Sequence, residues 1–309
     1  MESILVSVVV LTYNSEKTII ETLESIKNQT YRNIELIITD DCSNDKTIKI
    51  CEKWTNKNEL NFKKIKIIKN SFNTGVSANM NRGIKEARGE WIKLIAGDDI
   101  LLEKCIEINL NYVVKNPEIK VLFSKMKYFK VETGEKKFLK MDLLKHQEKF
   151  YNLSPSKQYE YLLKRSFNMA PTSFIQSKVL KKYNYADENF KMIEDLPLWL
   201  KFTKNGEKLN YIPKETVLYR VGNSITRNKQ ILINESFLKI LEEVYDKLIY
   251  EELWKKNKFF YFERKLDFKI QKILIKVFKN RKTSTSITIL KLSNLLKFNW
   301  YYDKISLFF

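Results

Sequence analysis

The sequence predicts an α/β fold, a doubly wound and mostly parallel sheet flanked by helices, with a helical C-terminal extension. Three observations carry that expectation. Apolar, largely β-branched runs at residues 4–11, 34–39 and 91–95 have strand length and the composition of strands buried on both faces. Segments between them carry apolar residues at helical spacing, and strands alternating with helices imply parallel pairing. The same three runs end in short loops of Asp, Asn, Ser, Thr and Gly, at the sheet edge where open α/β sheets bind ligands.

Residues 4–11 (ILVSVVVL) form a central strand. Asn14 or Ser15 is expected to cap a helix that places Ile19, Ile20, Leu23 and Ile26 on one side. Residues 34–39 (IELIIT) make a second strand ending at Asp40-Asp41, and Ser43-Asn44-Asp45 opens a helix through Ile48, Ile50 and Trp54. Lys64 to Lys69 is a third strand, and the polar loop Asn70 to Gly75 leads into a helix over about Ser77 to Ala87. Trp91 to Ile95 is the fourth strand. Beyond about residue 117 the pattern changes. Val121 to Val131 and a turn at Glu132-Thr133-Gly134-Glu135 suggest a hairpin, and residues 136–157 are polar and poorly periodic. Helices and loops continue to about 228, and from about 230 the chain reads as helices rich in Lys and aromatics.

A net charge of +19 over 309 residues suits a polyanionic partner, whether nucleic acid, an acidic membrane face or phosphate-bearing substrates. A composition dominated by Lys, Ile and Asn supplies the same charge as solvated surface, so charge alone names no partner. Cys42, Cys51 and Cys105 are irregularly spaced and read as free thiols of a reducing compartment. His146 is the single histidine, which argues against a zinc site; it is expected at the surface. No apolar run reaches membrane-spanning length and the short apolar start lacks a basic flank, so the expected location is cytoplasmic.

Three loops should converge on one rim: Leu11-Thr12-Tyr13-Asn14, Thr39-Asp40-Asp41-Cys42-Ser43-Asn44-Asp45 and Ala96-Gly97-Asp98-Asp99. An aromatic ring packs on a base, and carboxylates accept from a base edge or ribose hydroxyls. Adjacent carboxylates such as Asp98 and Asp99 repel each other unless a cation or a ring of hydroxyls compensates them. The alternative is a helix start, with Asp99 capping a helix from near Leu101. The glycine-rich loops that cradle phosphates elsewhere (G-x-G-x-x-G, G-x-x-x-x-G-K) are missing, which makes a metal the natural counter-charge for a diphosphate. Further on, Glu194-Asp195 precedes Pro197 and an apolar helix with Leu198, Trp199, Leu200 and Phe202; Asp195 there fits a general base or an N-cap.

With these motifs, together with Asn73-x-Gly75-Val76-Ser77, Asn81-x-Gly83-Ile84, Ala87-x-Gly89-Glu90 and Tyr219-Arg220-Val221-Gly222-Asn223-Ser224, the chain resembles the family 2 glycosyltransferases of bacterial surface-polysaccharide type. These are inverting enzymes of the GT-A (nucleotide-diphospho-sugar transferase) fold, and the resemblance covers roughly residues 4–228. It implies a catalytic domain over 1–228, with a nucleotide-sugar-binding half (1–117) and an acceptor half (118–228), and a basic helical region over 229–309. It implies that Leu11, Thr12 and Tyr13 line the base pocket and that Asp41 binds the uracil edge. Asp98 would hold ribose or help bind metal, Asp99 would coordinate Mn²⁺ or Mg²⁺, Arg220 would offset diphosphate charge, and Asp195 would be the general base. Two departures stand out: Ala96 occupies the first acid position of the family's D-x-D motif, and no histidine follows Tyr219-Arg220.

The expected reaction moves a hexose or N-acetylhexosamine from a UDP-sugar to a saccharide acceptor, polyprenyl-diphosphate-linked, in cell-surface polysaccharide synthesis. The alternatives are a catalytically weak UDP-sugar-binding homologue or a nucleic-acid-binding protein; no RRM, zinc-finger or helix-turn-helix signature supports the latter. At the C-terminal end, Leu266, Ile270, Ile273, Leu274 and Val277 trace one helical face and Lys265, Lys269, Lys272, Lys276 and Lys279 another. Such a helix either lies on an anionic bilayer or docks its apolar stripe on the catalytic domain. Lys291 to Phe309 would form a second such helix or a partner contact.

Overall fold

The computed structural model describes residues 3–141, 143, 145–222, 231–293, 295 and 297. The chain divides into two compact units, one of residues 1–142, 154–156 and 168–221, the other of 143–153, 157–167 and 222–309. The expected boundary at 228, Asn223-Ser224 and most of the 291–309 segment lie outside the described residues.

The first unit opens with β1 (Val6–Thr12), α1 (Ile19–Lys27), β2 (Ile34–Asp40), α2 (Thr47–Asn58), β3 (Lys64–Lys69), α3 (Val76–Glu86) and β4 (Trp91–Ala96). β5 (Ile100–Leu101), α4 (Cys105–Lys115), β6 (Val121–Glu132) and β7 (Glu135–Leu139) follow. α5 (Lys145–Phe150) and nearly all of α6 (Pro155–Lys164) fall in the second unit, after which β8 (Phe174–Gln176), α7 (Ser177–Lys182), α8 (Asp195–Lys204) and β9 (Leu209–Arg220) complete the first. The sheet runs β3-β2-β1-β4-β8-β6-β9-β5, with β7 attached to β6. β3, β2, β1 and β4 pair in parallel, as do β6 and β9, while β8, β5 and β7 pair antiparallel. β1 and β2 are buried along nearly their whole length, which is why their sequences are continuous apolar runs instead of alternating ones.

Three expectations change. The first helix starts at Ile19, and Asn14 sits in the left-handed region at φ 51°. The Asn14 side chain accepts from Asn44 N (2.9 Å) instead, and the neighbouring loop holds the turn: Asn14 N donates to Ser43 Oγ (2.8 Å), Ser15 N to Thr47 Oγ1 (2.7 Å) and Glu16 N to Asp45 Oδ2 (3.1 Å). Ile20 therefore faces solvent while Ile19, Leu23 and Ile26 are buried. No helix begins at Leu101 either, because Ile100 and Leu101 pair with Leu218 and Val217 of β9. The turn at 132–135 does join a hairpin, β6 to β7, with Thr133 and Gly134 both at positive φ.

The second unit contains α9 (Glu235–Val244), a π-turn over Tyr245–Ile249, α10 (Tyr250–Lys256), α11 (Lys258–Phe278) and α12 (Ser284–Ser293), together with α5 and α6. Its core is aromatic: Phe150 packs on Tyr151, Tyr161 and Phe167, and Tyr245 on Phe268. His146 is buried beside the Tyr161 ring, not at the surface, because α5 folds into this cluster. Among the described residues no helix is long and apolar enough to cross a membrane.

α3 reaches the strands through Gly83, where an added Cβ would lie 2.4 Å from Val9 Cγ1 and 3.0 Å from Thr39 Cγ2. Overpacking of this kind costs about 1–3 kcal/mol, against roughly 1 kcal/mol that Ala gains over Gly in a helix. Gly83→Ala should therefore give a net loss of up to about 2 kcal/mol in urea unfolding. Adding Val9→Ala should restore part of that loss; strict additivity of the two changes would show that this contact is not its cause.

Candidate active site

The parallel register brings three loops to one rim. Thr12 stands opposite Asp40, and Leu11 opposite both Thr39 and Ala96. The loops are then bonded to one another: Asp41 N donates to the Thr12 carbonyl (3.0 Å) and Gly97 N to the Leu11 carbonyl (2.8 Å). Thr12 itself is buried, its hydroxyl donating to Asp40 Oδ1 at 2.8 Å, and Leu11 is half-buried. Tyr13 is 41% exposed at the rim.

Asp41 is the hub of a network that sequence reasoning only partly foresaw. Its carboxylate accepts from Thr74 N, Thr74 Oγ1 (2.7 Å), Gly75 N (2.7 Å) and Arg82 Nη2 (2.7 Å). Burial pushes its pKa up, but these donors outweigh burial and hold the carboxyl below its ordinary range. Arg82 also reaches Thr74 Oγ1 and Asn79 Oδ1, and Asn79 Nδ2 donates to the Thr39 carbonyl (3.1 Å). Thr74, Asn79 and Arg82 carried no signal beyond lying near a matched motif. Gly75, at φ +94°, is required twice, since an added Cβ would also lie 2.4 Å from the Lys191 carbonyl.

Asp98 and Asp99 sit where β4 hands over to β5. Asp98 is exposed and its carboxylate takes no side-chain hydrogen bond among the described residues, yet surrounding protein still raises its pKa. Asp99 is buried, with Oδ1 accepting from Arg220 N at 2.9 Å, and its carboxyl is raised well above the usual range by burial and then by the Asp98 charge. Lys93, fully buried on β4 and donating to the Pro171 and Ser173 carbonyls, opposes that rise; burial lowers its own pKa to about 8. A lone lysine inside an apolar strand was the available signal for it. The Arg220 side chain clasps the loop, its Nε donating to the Asp98 carbonyl (2.8 Å), its Nη2 pairing with Glu21 and its guanidinium lying 4.6 Å from the Phe129 ring centre.

Among the described residues no three His, Cys, Asp or Glu side chains cluster as a complete metal cage. Asp98 and Asp99 nevertheless fit a hard divalent cation. Both are oxygen ligands whose charged forms are only partly compensated, and the remaining coordination can come from a diphosphate and water.

Asp195 is the first residue of α8, with Glu194 at the cap position, and its Oδ1 accepts from Leu196 N at 2.7 Å. Neither side chain is fully covered, but protein packed around them raises both pKa values, Glu194 to about 8 with the charge of Asp195 as the second cause. Glu194 is thus half of an acidic pair; the sequence motif contained it, but only Asp195 was given a role. The pair makes no hydrogen bond to the rim carboxylates; the preceding segment reaches α3 instead, through Val76 N to the Lys191 carbonyl (2.8 Å) and Ser77 Oγ to the Phe190 carbonyl (2.6 Å). Trp199 is buried edge-on against Phe123, a core residue.

The glycosyl transferase family 2 model matches residues 7–183. An uncharacterized glycosyltransferase of Methanocaldococcus jannaschii is 33% identical over 225 residues, 72% of this chain and 73% of that protein. The Escherichia coli protein WfaP, a UDP-Glc:alpha-D-GlcNAc-diphosphoundecaprenol beta-1,3-glucosyltransferase, is 30% identical over 229 residues, 73% of this chain and 81% of its own. Staphylococcus aureus TarS 1–349 in complex with UDP-GlcNAc superposes with a TM-score of 0.56 at 24% identity, over 78% of this chain and 66% of that one. The Pyrobaculum calidifontis mannosyltransferase PcManGT, in complex with GDP-Man and Mn2+, gives 0.55 at 13% identity over 99% of this chain and 74% of that one. At these identities the two structures establish the fold, and it is the expected GT-A fold.

The two kinds of acid should separate in stability measurements. Because the Asp41 pKa is lowered, its contribution is present at neutral pH and is lost only as pH falls below about 4. Asp41→Ala leaves Arg82 and two N–H groups without their acceptor and should cost about 3 kcal/mol at pH 7. Glu194 is the reverse: its raised pKa means stability is lost as pH climbs from about 4.5 toward 8. Glu194→Gln should therefore raise the Tm at pH 8 and leave it unchanged at pH 4, and a pH-independent difference would refute the assignment.

Proposed function

Since the chain belongs to glycosyl transferase family 2, and is thereby a glycosyltransferase, we propose that it is an inverting, UDP-sugar-dependent hexosyl- or N-acetylhexosaminyltransferase. The proposed acceptor is a saccharide on a polyprenyl diphosphate in cell-surface polysaccharide synthesis, and the proposed product is β-linked. WfaP, whose name specifies a UDP-glucose donor and a diphosphoundecaprenol-linked acceptor, supports that direction. The observation that carries the reading is the strand register that sets Thr12 opposite Asp40 and Leu11 opposite Ala96, so that Tyr13, Asp41, Asp98 and Asp99 share one rim.

On this reading the exposed Tyr13 ring stacks on the base, beside Leu11 and Thr12, and Asp41 accepts from the uracil edge. Asp41 is suited to that because its network holds it ionised and fixed. Asp98 faces the ribose and, with Asp99, would hold Mn²⁺ or Mg²⁺. The cation, when bound, offsets charge on the diphosphate. Arg220 adds positive charge from the fixed position set by Glu21. The acceptor hydroxyl attacks the anomeric carbon from the face opposite the diphosphate; the new C–O bond forms as the bond to the leaving oxygen breaks, and Asp195 takes the hydroxyl proton. Its partner Glu194, raised to about 8, makes the two carboxyls titrate as a pair.

Asp195→Asn should lower kcat by about 10²–10⁴-fold with UDP affinity unchanged; wild-type turnover would remove Asp195 as the base. The wild-type rate should rise with pH as Asp195 loses its proton, over a range above that of an ordinary carboxylate. A screen of UDP-sugars for UDP release, with and without Mn²⁺, tests donor and cation together. Release from no UDP-sugar, alongside binding of another nucleotide sugar, would overturn the donor assignment.

A further inference from the structure

The second unit presents a surface that contains none of the rim residues. α11 is 21 residues long, about 30 Å of helix. Its inner side is fixed by buried Phe260, Phe268 and Leu274. The opposite arc is open, and two parallel stripes occupy it. One is apolar: Phe259, Phe262, Leu266, Ile273 and Val277 recur at helical spacing, with exposures from 44% (Leu266) to 65% (Val277). The other consists of exposed Lys258, Lys265, Lys269, Lys272 and Lys276. The acids of this helix stay off that face: Asp267 is buried and Glu263 half-buried.

Each stripe alone has an ordinary explanation. An apolar stripe suits a protein partner, and a lysine stripe suits water. Side by side on one exposed arc, with no exposed acid, they match the boundary where hydrocarbon meets anionic headgroups. Lys265 and Lys272 pair with Asp246 and Glu242, so the charge offered at that boundary rests on exposed Lys258, Lys269 and Lys276. Trp254, 46% exposed, lies with its ring 6.0 Å from that of Phe262 at the start of the stripe, and tryptophan is the residue that settles at membrane interfaces.

We propose that α11 is an interfacial helix that lies in the plane of an anionic bilayer, with its apolar stripe below the headgroups and its lysines among them. The proposal goes beyond the transfer reaction and stands if the donor or acceptor assignment fails, because it uses no residue of the rim.

Co-sedimentation of the full chain with vesicles of phosphatidylcholine, with and without phosphatidylglycerol, tests it. Binding is expected only with the anionic lipid, and to fall as salt is raised. Lys269→Gln with Lys276→Gln should weaken it about 30-fold, at roughly fivefold per lysine. Phe259→Ser with Phe262→Ser should abolish it while leaving Tm and UDP release unchanged, since both rings are already exposed. No binding by the wild-type chain, or equal binding to phosphatidylcholine alone, overturns the proposal. So does a dimer in sedimentation velocity that the Phe variants dissociate, or binding to duplex DNA that the same Lys and Phe variants weaken in parallel.

Discussion

A buried carboxylate beside a second carboxylate is the constraint on which this site depends. Asp99 is almost completely enclosed and Asp98 adjoins it, so ionising both without help is costly. The surrounding fold supplies partial relief from three directions. β9, by pairing with β5, sets the Arg220 amide against Asp99 Oδ1 and folds its guanidinium over the Asp98 carbonyl. β4 carries the Lys93 ammonium inside the sheet. α1 fixes the Asp99 main chain through the Thr22 hydroxyl, 2.7 Å from its carbonyl. The relief is incomplete, as the upward shifts of both carboxyls show, and an incompletely compensated acid pair is where a cation binds with most to gain.

Rigidity comes from a different set of acids. Asp40, Asp41 and Asp45 lie at the end of β2 and in the loop that follows it, and turn their oxygens inward, to Thr12 and Ser43, to Thr74, Gly75 and Arg82, and to Thr47 and the Glu16 amide. Each of these contacts fastens one loop to another or closes a loop on itself. The rim is therefore held by charge-assisted bonds across sequence separations of roughly 30 residues as well as by turn bonds within the β2–α2 loop.

That difference explains what could be read from the sequence. β1, β2 and β4 were legible because burial on both faces leaves continuous apolar runs, and the acids at their ends were legible by position. The roles of Asn14 and Ser15 were not. Their composition is that of a helix cap, and only the adjacency of the β2–α2 loop diverts them. Asp99 likewise reads as a cap until β9, more than a hundred residues later, converts Ile100 and Leu101 into a strand. Arg82 looks like an ordinary arginine of a basic chain, and only its hydrogen bonds to Asp41, Thr74 and Asn79 distinguish it, whereas Lys93 stood out as the one charge inside an apolar strand and proves fully buried.

Two populations of acid follow, and their separation carries more than any single motif. Asp41 and Asp45 are held below the usual carboxylate range by protein donors, so they strengthen the native state at neutral pH. Asp98, Asp99, Glu194 and Asp195 are pushed the other way by burial, so ionising them weakens it. A fold selected for stability alone would supply the second group with donors as it does the first. Arg82 and the Thr74 and Gly75 amides show that this chain does so for Asp41. Leaving four carboxyls under-compensated sets aside stability at two places, the β4–β5 turn and the start of α8, where the proposed reaction calls for a cation ligand and a proton acceptor. The missing partners are then those that a diphosphate-bound cation and an acceptor hydroxyl would provide.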